Sequence, residues 1–402
     1  MTSPRERRPL YLLSLAELLA MSVWFSASAV LPSLTREWAL TPAGQAWLTL
    51  AVQLGFVAGA FGSAVLNLAD RLPTSRLFAG AAFLAGGLTA LIPALAHGLG
   101  AAVGLRFLAG VCLAGVYPVG MKIMATWTRE TRGFGIGLLV GALTLGSAAP
   151  HLVAGLGGVL RWQPVLYISA GLAVAGGAIG GWLVKEGPHR SEAPAFDWKY
   201  AGEMWRQKEL ALASLGYFGH MWELYAMWAW VPVFLAQVFG ARGITGRWAS
   251  LAGFAVIAAG GAGSIVAGRL ADRFGRTSVT MASLAASGAC SLGIGLLFGG
   301  PPAAVMIVGI IWGFSVVADS AQFSAGLSEL CPPDRTGTVL TVQTGLGFLL
   351  TLVTIRLIPS VERVVTWRWA FALLALGPLM GIWAMARLRR LPEALKMAGG
   401  RR

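Results

Sequence analysis

The chain has 402 residues, 56% of them hydrophobic and 12% charged, with mean hydropathy +0.70 and a formal net charge of +14. Soluble globular domains carry about 25% charged residues, so a water-soluble fold is excluded. The basic residues sit in short caps between apolar runs rather than on one patch, which argues against a nucleic-acid partner. Cys112, Cys290 and Cys331 show no CxxC or zinc spacing and point to neither a disulfide framework nor a metal centre.

Apolar runs of about 20 residues recur along the chain, each long enough to cross a bilayer. They predict an all-α polytopic membrane protein with twelve transmembrane helices. The first span, 9–34, follows a basic start and passes Ala27-Ser28-Ala29, which mimics a cleavage site. It continues to Leu34 and contains Glu17, so it reads as a retained helix rather than a signal peptide. Spans 43–69, 76–97, 99–126, 133–159 and 163–185 follow. The fourth carries Arg106, Lys122 and the helix breaker Pro118, and the fifth carries His151. Residues 186–208 form the only long polar break. They read as a linker in which Trp198, Tyr200, Met204 and Trp205 form a short surface helix. Spans 209–239, 246–270, 277–299, 303–330, 336–358 and 368–389 complete the chain. The predicted domains are a six-helix bundle over 1–185, the linker, and a second six-helix bundle over 209–402.

Of the 31 Lys and Arg residues, 22 fall on one side of the spans, 6 on the other and 3 within them. Positive-inside logic places both termini and the linker in the cytoplasm, in a plasma membrane such as a bacterial inner membrane. The two halves also match in register. Ser14-Leu15 and Pro32 recur as Ser214-Leu215 and Pro232, "LADR" at Leu68–Arg71 recurs at Leu270–Arg273, and "RW" at Arg161-Trp162 recurs at Arg368-Trp369. A duplicated six-helix unit explains this slow drift, and repeated halves are the architecture of many secondary transporters.

"GRLADRFGR", Gly268–Arg276, resembles the loop motif that major facilitator superfamily proteins carry between the second and third helix of each half. Its counterpart Leu66–Arg76 keeps Asp70 and Arg71 but has Pro73 and Thr74 in place of Gly-Arg. "RFLAG", Arg106–Gly110, is similar to the Arg-x-x-x-Gly of the family's fourth helix, and Gly135–Pro150 to its glycine-rich fifth. The resemblance implies the twelve-helix fold of that family. It implies that the loop motif, through Gly268, Asp272, Arg273, Gly275 and Arg276, latches one half to the other. Asp272 is then expected near Gly133, at the start of the fifth span, and Asp70 near Gly337, at the start of the eleventh. An aspartate there offsets the positive end of a helix dipole. The basic residues of the motif also fit a purely topological role.

Charged residues inside spans are costly and by default mark functional sites. Eight ionisable groups lie there: Glu17, Arg106, Lys122, His151, His220, Glu223, Asp319 and Arg356. Six of them fall on the first, fourth, seventh and tenth spans, which in the resembling family line the central cavity. Glu17 and Lys122 both lie in the inner halves of their spans and can pair. Arg106 suits proton handling or anion binding, or else bonding to carbonyls; Arg356 suits snorkelling to the interface. His220 and Glu223 sit one helical turn apart on the seventh span, on a stripe continued by Met227 and Trp230. Asp319 lies near mid-depth in the tenth. Burial of a carboxyl favours its neutral form, and a His titrates near neutral pH, so these three are candidates for substrate or proton binding. Trp222, Tyr225, Trp228, Trp230 and, in the first span, Trp24 offer flat surfaces to an organic ligand. Pro32 and Pro232 occupy equivalent ends of the first and seventh spans and read as kinks.

These features predict a secondary active transporter that acts by alternating access. It is expected to be coupled to protons, to carry a small organic or inorganic anion or a zwitterion, and to work as a monomer. The alternative is proton-driven efflux of amphiphilic or cationic compounds. A non-transporting sensor fits less well, since it needs no titratable cavity. No Walker-type loop, HExxH or positioned nucleophile indicates an ATPase or an enzyme. No cofactor is expected, and His220, Met221, Glu223 and Met227 lack a distinctive metal spacing.

Overall fold

The computed structural model describes residues 4–128, 132–157, 161–189, 196–332 and 334–402. The basic caps Arg129 and Arg190 lie outside the described residues, as do the side chains of Arg5, Arg7 and Arg132. Where it is described, each predicted span falls mainly on helix, and the described residues contain no strand. Nine of the helices among them are long and apolar enough to cross a membrane.

The first span is built from α1 (Pro4–Met21), α2 (Ser26–Ala29) and α3 (Leu31–Glu37). α4 (Pro42–Val65) starts on an N-cap: Thr41 Oγ1 accepts from the Gly44 N–H at 3.2 Å, with Pro42 in the first turn. The short α5 (Leu68–Arg71) leads into α6 (Thr74–Leu95). The fourth span is divided into α7 (Leu99–Leu113) and α8 (Tyr117–Trp127), with Pro118 in the first turn of α8. The missing proline N–H costs nothing there, which explains the break. α9 (Arg132–Gly157) and α10 (Gln163–Trp182) follow, and α11 (Trp198–Glu203) is the predicted linker helix. Asp197 caps it by accepting from the N–H groups of Lys199 and Tyr200 at 2.9 and 3.0 Å.

α12 (Lys208–Gly240) runs unbroken for 33 residues through Pro232. Its expected kink therefore takes a different form from the first span, where Pro32 opens α3 after a real break. α13 (Gly246–Phe274), α14 (Arg276–Gly293), α15 (Pro302–Ala318) and α16 (Ser320–Leu330) come next, with Asp319 at the junction of the last two. α17 (Thr336–Ala370) is interrupted at Thr366, whose backbone is non-helical, and α18 (Leu376–Arg389) closes the bundle.

Glycines allow close crossings, as in other membrane helices. A Cβ at Gly110 of α7 would collide with the Val52 carbonyl of α4, and one at Gly55 with the Phe107 carbonyl. Two of the pairs that join helices from before and after the linker bracket the centre. α9 lies along α13, where Ser264 Oγ donates to the Gly137 carbonyl at 2.9 Å and Gly141 faces Gly261. α4 meets α17 through Phe56 and Phe348, with ring centroids 4.5 Å apart.

Candidate functional site

His220 and Glu223 share a turn of α12 but reach different partners. His220 Nδ1 lies 2.8 Å from Asp319 Oδ1, and both side chains are about 1% exposed. Glu223 is fully buried. Its Oε1 accepts from Trp312 Nε1 of α15 at 2.7 Å, and its Oε2 from Ser287 Oγ of α14 at 2.8 Å. Two neighbouring helices thus hold the carboxyl group of α12 through neutral donors. A carboxylate held this way can gain or lose a proton without breaking an ion pair. Asp319 sits where α15 gives way to α16, so its carboxyl lies beside a break in the helical backbone.

In the first span, residues 22–25 are turn rather than helix. A break in a helix frees carbonyls that must find donors. Arg106 supplies them from α7. Its guanidinium donates to the carbonyls of Val23 (2.6 Å) and Leu48 (3.2 Å), to Ser26 Oγ (3.4 Å), and to the carbonyl of Trp24. Arg106 is fully buried and consumed by backbone, the reading in which it bonds to carbonyls.

The expected Glu17–Lys122 pair is replaced by two separate arrangements. Lys122 Nζ donates to the Ala69 carbonyl at 2.8 Å and pairs with Asp70, because its long stem reaches the short α5. Glu17 stays fully buried in α1, and neither carboxyl oxygen has a hydrogen-bond partner. Gly120 makes room for it: a Cβ there would lie 2.7 Å from Glu17 Oε2. Arg356 is exposed and near Ser360, consistent with snorkelling.

The loop motif of the second half makes its expected contact. A Cβ on Gly133 would lie 2.5 Å from Asp272 Oδ1, so the carboxylate abuts the start of α9. Gly268 passes the Gly133 carbonyl closely, and Gly275 takes the positive φ of 92° that turns α13 into α14. Arg276 binds Glu329 through two nitrogens at 2.5 and 2.7 Å and reaches Asp272 at 3.5 Å. Arg273 instead lies over the Phe274 ring. The first copy behaves differently. Asp70 pairs with Lys122, and a Cβ built on Gly337 meets nothing within 4 Å, so the expected approach there is absent. Arg71 is exposed.

Aromatic rings close the centre between the halves. Trp24 packs on Phe56 (4.9 Å), Phe348 (5.7 Å) and Tyr225 (6.0 Å), and Phe25 meets Trp228 edge-on at 5.7 Å. Trp24 and Trp228 keep buried indole N–H groups without partners. Gln53 of α4 and Gln343 of α17 are also fully buried with their amides unpaired. Trp222 and Trp230, by contrast, donate to the Leu373 and Ile355 carbonyls and are structural. Ser287, Trp312, Gln53 and Gln343 escaped the sequence reading because uncharged polar residues are common in membrane helices and carry no positional signal.

The sequence model described as Major Facilitator Superfamily matches residues 13–355. The niacin transporter NiaP of Acinetobacter baylyi is 29% identical over 150 residues, which cover 35% of this chain and 33% of that protein. The chain thus spans about a third of that relative's length. The crystal structure of the human organic anion transporter MFSD10 superposes with a TM-score of 0.71 at 15% identity, covering 95% of this chain and 100% of that one.

Proposed function

The chain belongs to the Major Facilitator Superfamily, and on that premise we propose that it is a proton-coupled secondary transporter of small organic anions. The carrying observation is the buried Glu223 carboxyl group, held by Trp312 and Ser287 beside the His220–Asp319 pair. A proton taken up there offsets the charge of an anion moving through the same centre. The unpaired N–H groups of Trp24, Trp228, Gln53 and Gln343 are neutral donors suited to a carboxylate, and the surrounding rings suit an aromatic body. The names of the niacin transporter and of the organic anion transporter point to the same substrate class. In this proposal the bundles 1–185 and 209–402 rock about the centre, the protein acts as a monomer in a bacterial inner membrane, and both termini face the cytoplasm.

The test is uptake into proteoliposomes. Glu223→Gln is expected to abolish the pH dependence of organic-anion uptake while the protein still folds. Retained pH dependence would remove Glu223 as the proton carrier.

One observation favours a second reading, efflux of amphiphilic cations. Arg106 is spent on carbonyls and Lys122 on Asp70, so the ionisable groups that remain at the centre among the described residues are carboxyls and a histidine, with no cation fixed there. Counterflow with an aromatic carboxylate against an aromatic amine separates the two readings.

A further inference from the structure

We propose that a second cavity, at the end of the bundle opposite the loop motif, binds an amphipathic organic anion: a carboxylate, phosphate or sulfonate head on an apolar body. Its place as a station on a transport route rests on the reading above; the binding itself stands on the cavity. The cavity is about 1310 Å³ and lies between α2, α3, α9 and α10 on one side and α12 and α13 on the other. It draws on both sides of the linker.

Charge selects the ligand. Arg36, Arg161 and Arg247 line the cavity, and no Asp or Glu does so among the described residues. Nearby Glu37 lies in an adjoining cleft, and its Oε2 already accepts from Trp162 Nε1 at 2.6 Å. The three guanidinium groups are exposed, so they attract an anion from water. Exposed arginines alone would not make a site. His151 supplies the interior group: it lines the same cavity, is 2% exposed, and its Nε2 has no hydrogen-bond partner. A buried polar atom left unpaired costs free energy, and a ligand oxygen at this position would satisfy it.

The walls select an apolar body. Val30, Val165, Val233 and Ala236 face the space between the arginines. Two lining residues are neighbours of the aromatic centre along the chain: Ser28 lies one turn beyond Phe25, and Pro232 one turn beyond Trp228. The cavity that holds His151 therefore adjoins the helix segments that carry the Phe25–Trp228 contact. Leu156 and Ile168 line the same cavity and are exposed on the bundle wall, so an anionic lipid presents the same chemistry as a free solute.

The experiment is equilibrium binding of radiolabelled 1-naphthoate to the full-length protein in phosphatidylcholine nanodiscs, with uncharged 1-naphthamide as competitor. Saturable binding that naphthamide does not displace is expected. His151→Ala and Arg247→Gln should each weaken it by about tenfold or more, as loss of a charge-assisted contact does. Arg161→Gln, at an exposed position where folding is not at stake, should weaken it as well. Lys199→Gln in the linker should leave it unchanged. Binding that survives added phosphatidylglycerol identifies a free organic anion as the occupant; displacement by that lipid identifies an anionic headgroup. Displacement by naphthamide, equal affinity in all three cavity variants, or no binding in the phosphatidylcholine discs would overturn the site. Glu223→Gln reports separately: its uptake phenotype decides the transport reading whether or not the cavity binds naphthoate.

Discussion

Arg106→Met tests whether the buried guanidinium is a strut for the broken first span. The Val23 carbonyl retains Ser26 Oγ at 2.9 Å as a donor, and the Leu48 carbonyl lies within α4. The Trp24 carbonyl sits in the break at residues 22–25, and Arg106 Nη2 is its donor. Methionine fills similar volume but leaves that carbonyl unpaired, which costs about 1–3 kcal/mol. That penalty should appear as a local loss of hydrogen-exchange protection of about 5- to 150-fold. Hydrogen-exchange mass spectrometry in detergent, read over peptides spanning residues 20–30, is the assay. Arg106→Lys should fall between the parent and the methionine variant, because an ammonium keeps the charge but lacks the planar fork that spans several acceptors. Unchanged exchange in this segment, combined with weakened substrate binding, would refute the strut and make Arg106 a ligand group.

The Lys122–Asp70 pair is mostly buried, with side chains 25% and 18% exposed, so removing one charge of the pair is worse than removing both. In a thermal-unfolding cycle in detergent, Asp70→Asn and Lys122→Gln should each be less stable than the double variant; a double variant as damaged as the sum of the singles would remove the pairing. Gly110→Val should abolish folded monomer by size-exclusion chromatography, since its side chain meets the Val52 carbonyl with no flexible atom to yield; a monodisperse variant would show that α4 and α7 can part. A cysteine at Lys199, whose side chain is 86% exposed, should resist labelling by an impermeant maleimide applied to intact cells, and ready labelling would reverse the proposed orientation.

What was legible in the sequence followed from chain-local physics. A span announces itself by apolar length, and the break before Pro118 by its missing N–H. Partners depend on how helices rotate and lean against one another, which the sequence does not state. Glu17 and Lys122 have matching depths, yet Lys122 bends to Ala69 and Asp70 instead. His220 and Glu223 share a turn, yet one faces Asp319 and the other Trp312 and Ser287. The breaks at residues 22–25 and at Asp319 have no glycine or proline within them, so no local signal marks either. One of them still left a trace elsewhere. An unbroken helix has already paired its mid-helix carbonyls once, so an arginine buried in an apolar span is served best by carbonyls at a break, with a second lone pair such as that of Leu48 in α4 as a supplement. Two of the three carbonyls that Arg106 of α7 reaches, those of Val23 and Trp24, lie in such a break. Asp319 differs: the polar side chain that faces it is His220, 2.8 Å away on an intact α12, so its presence required no second break across from it.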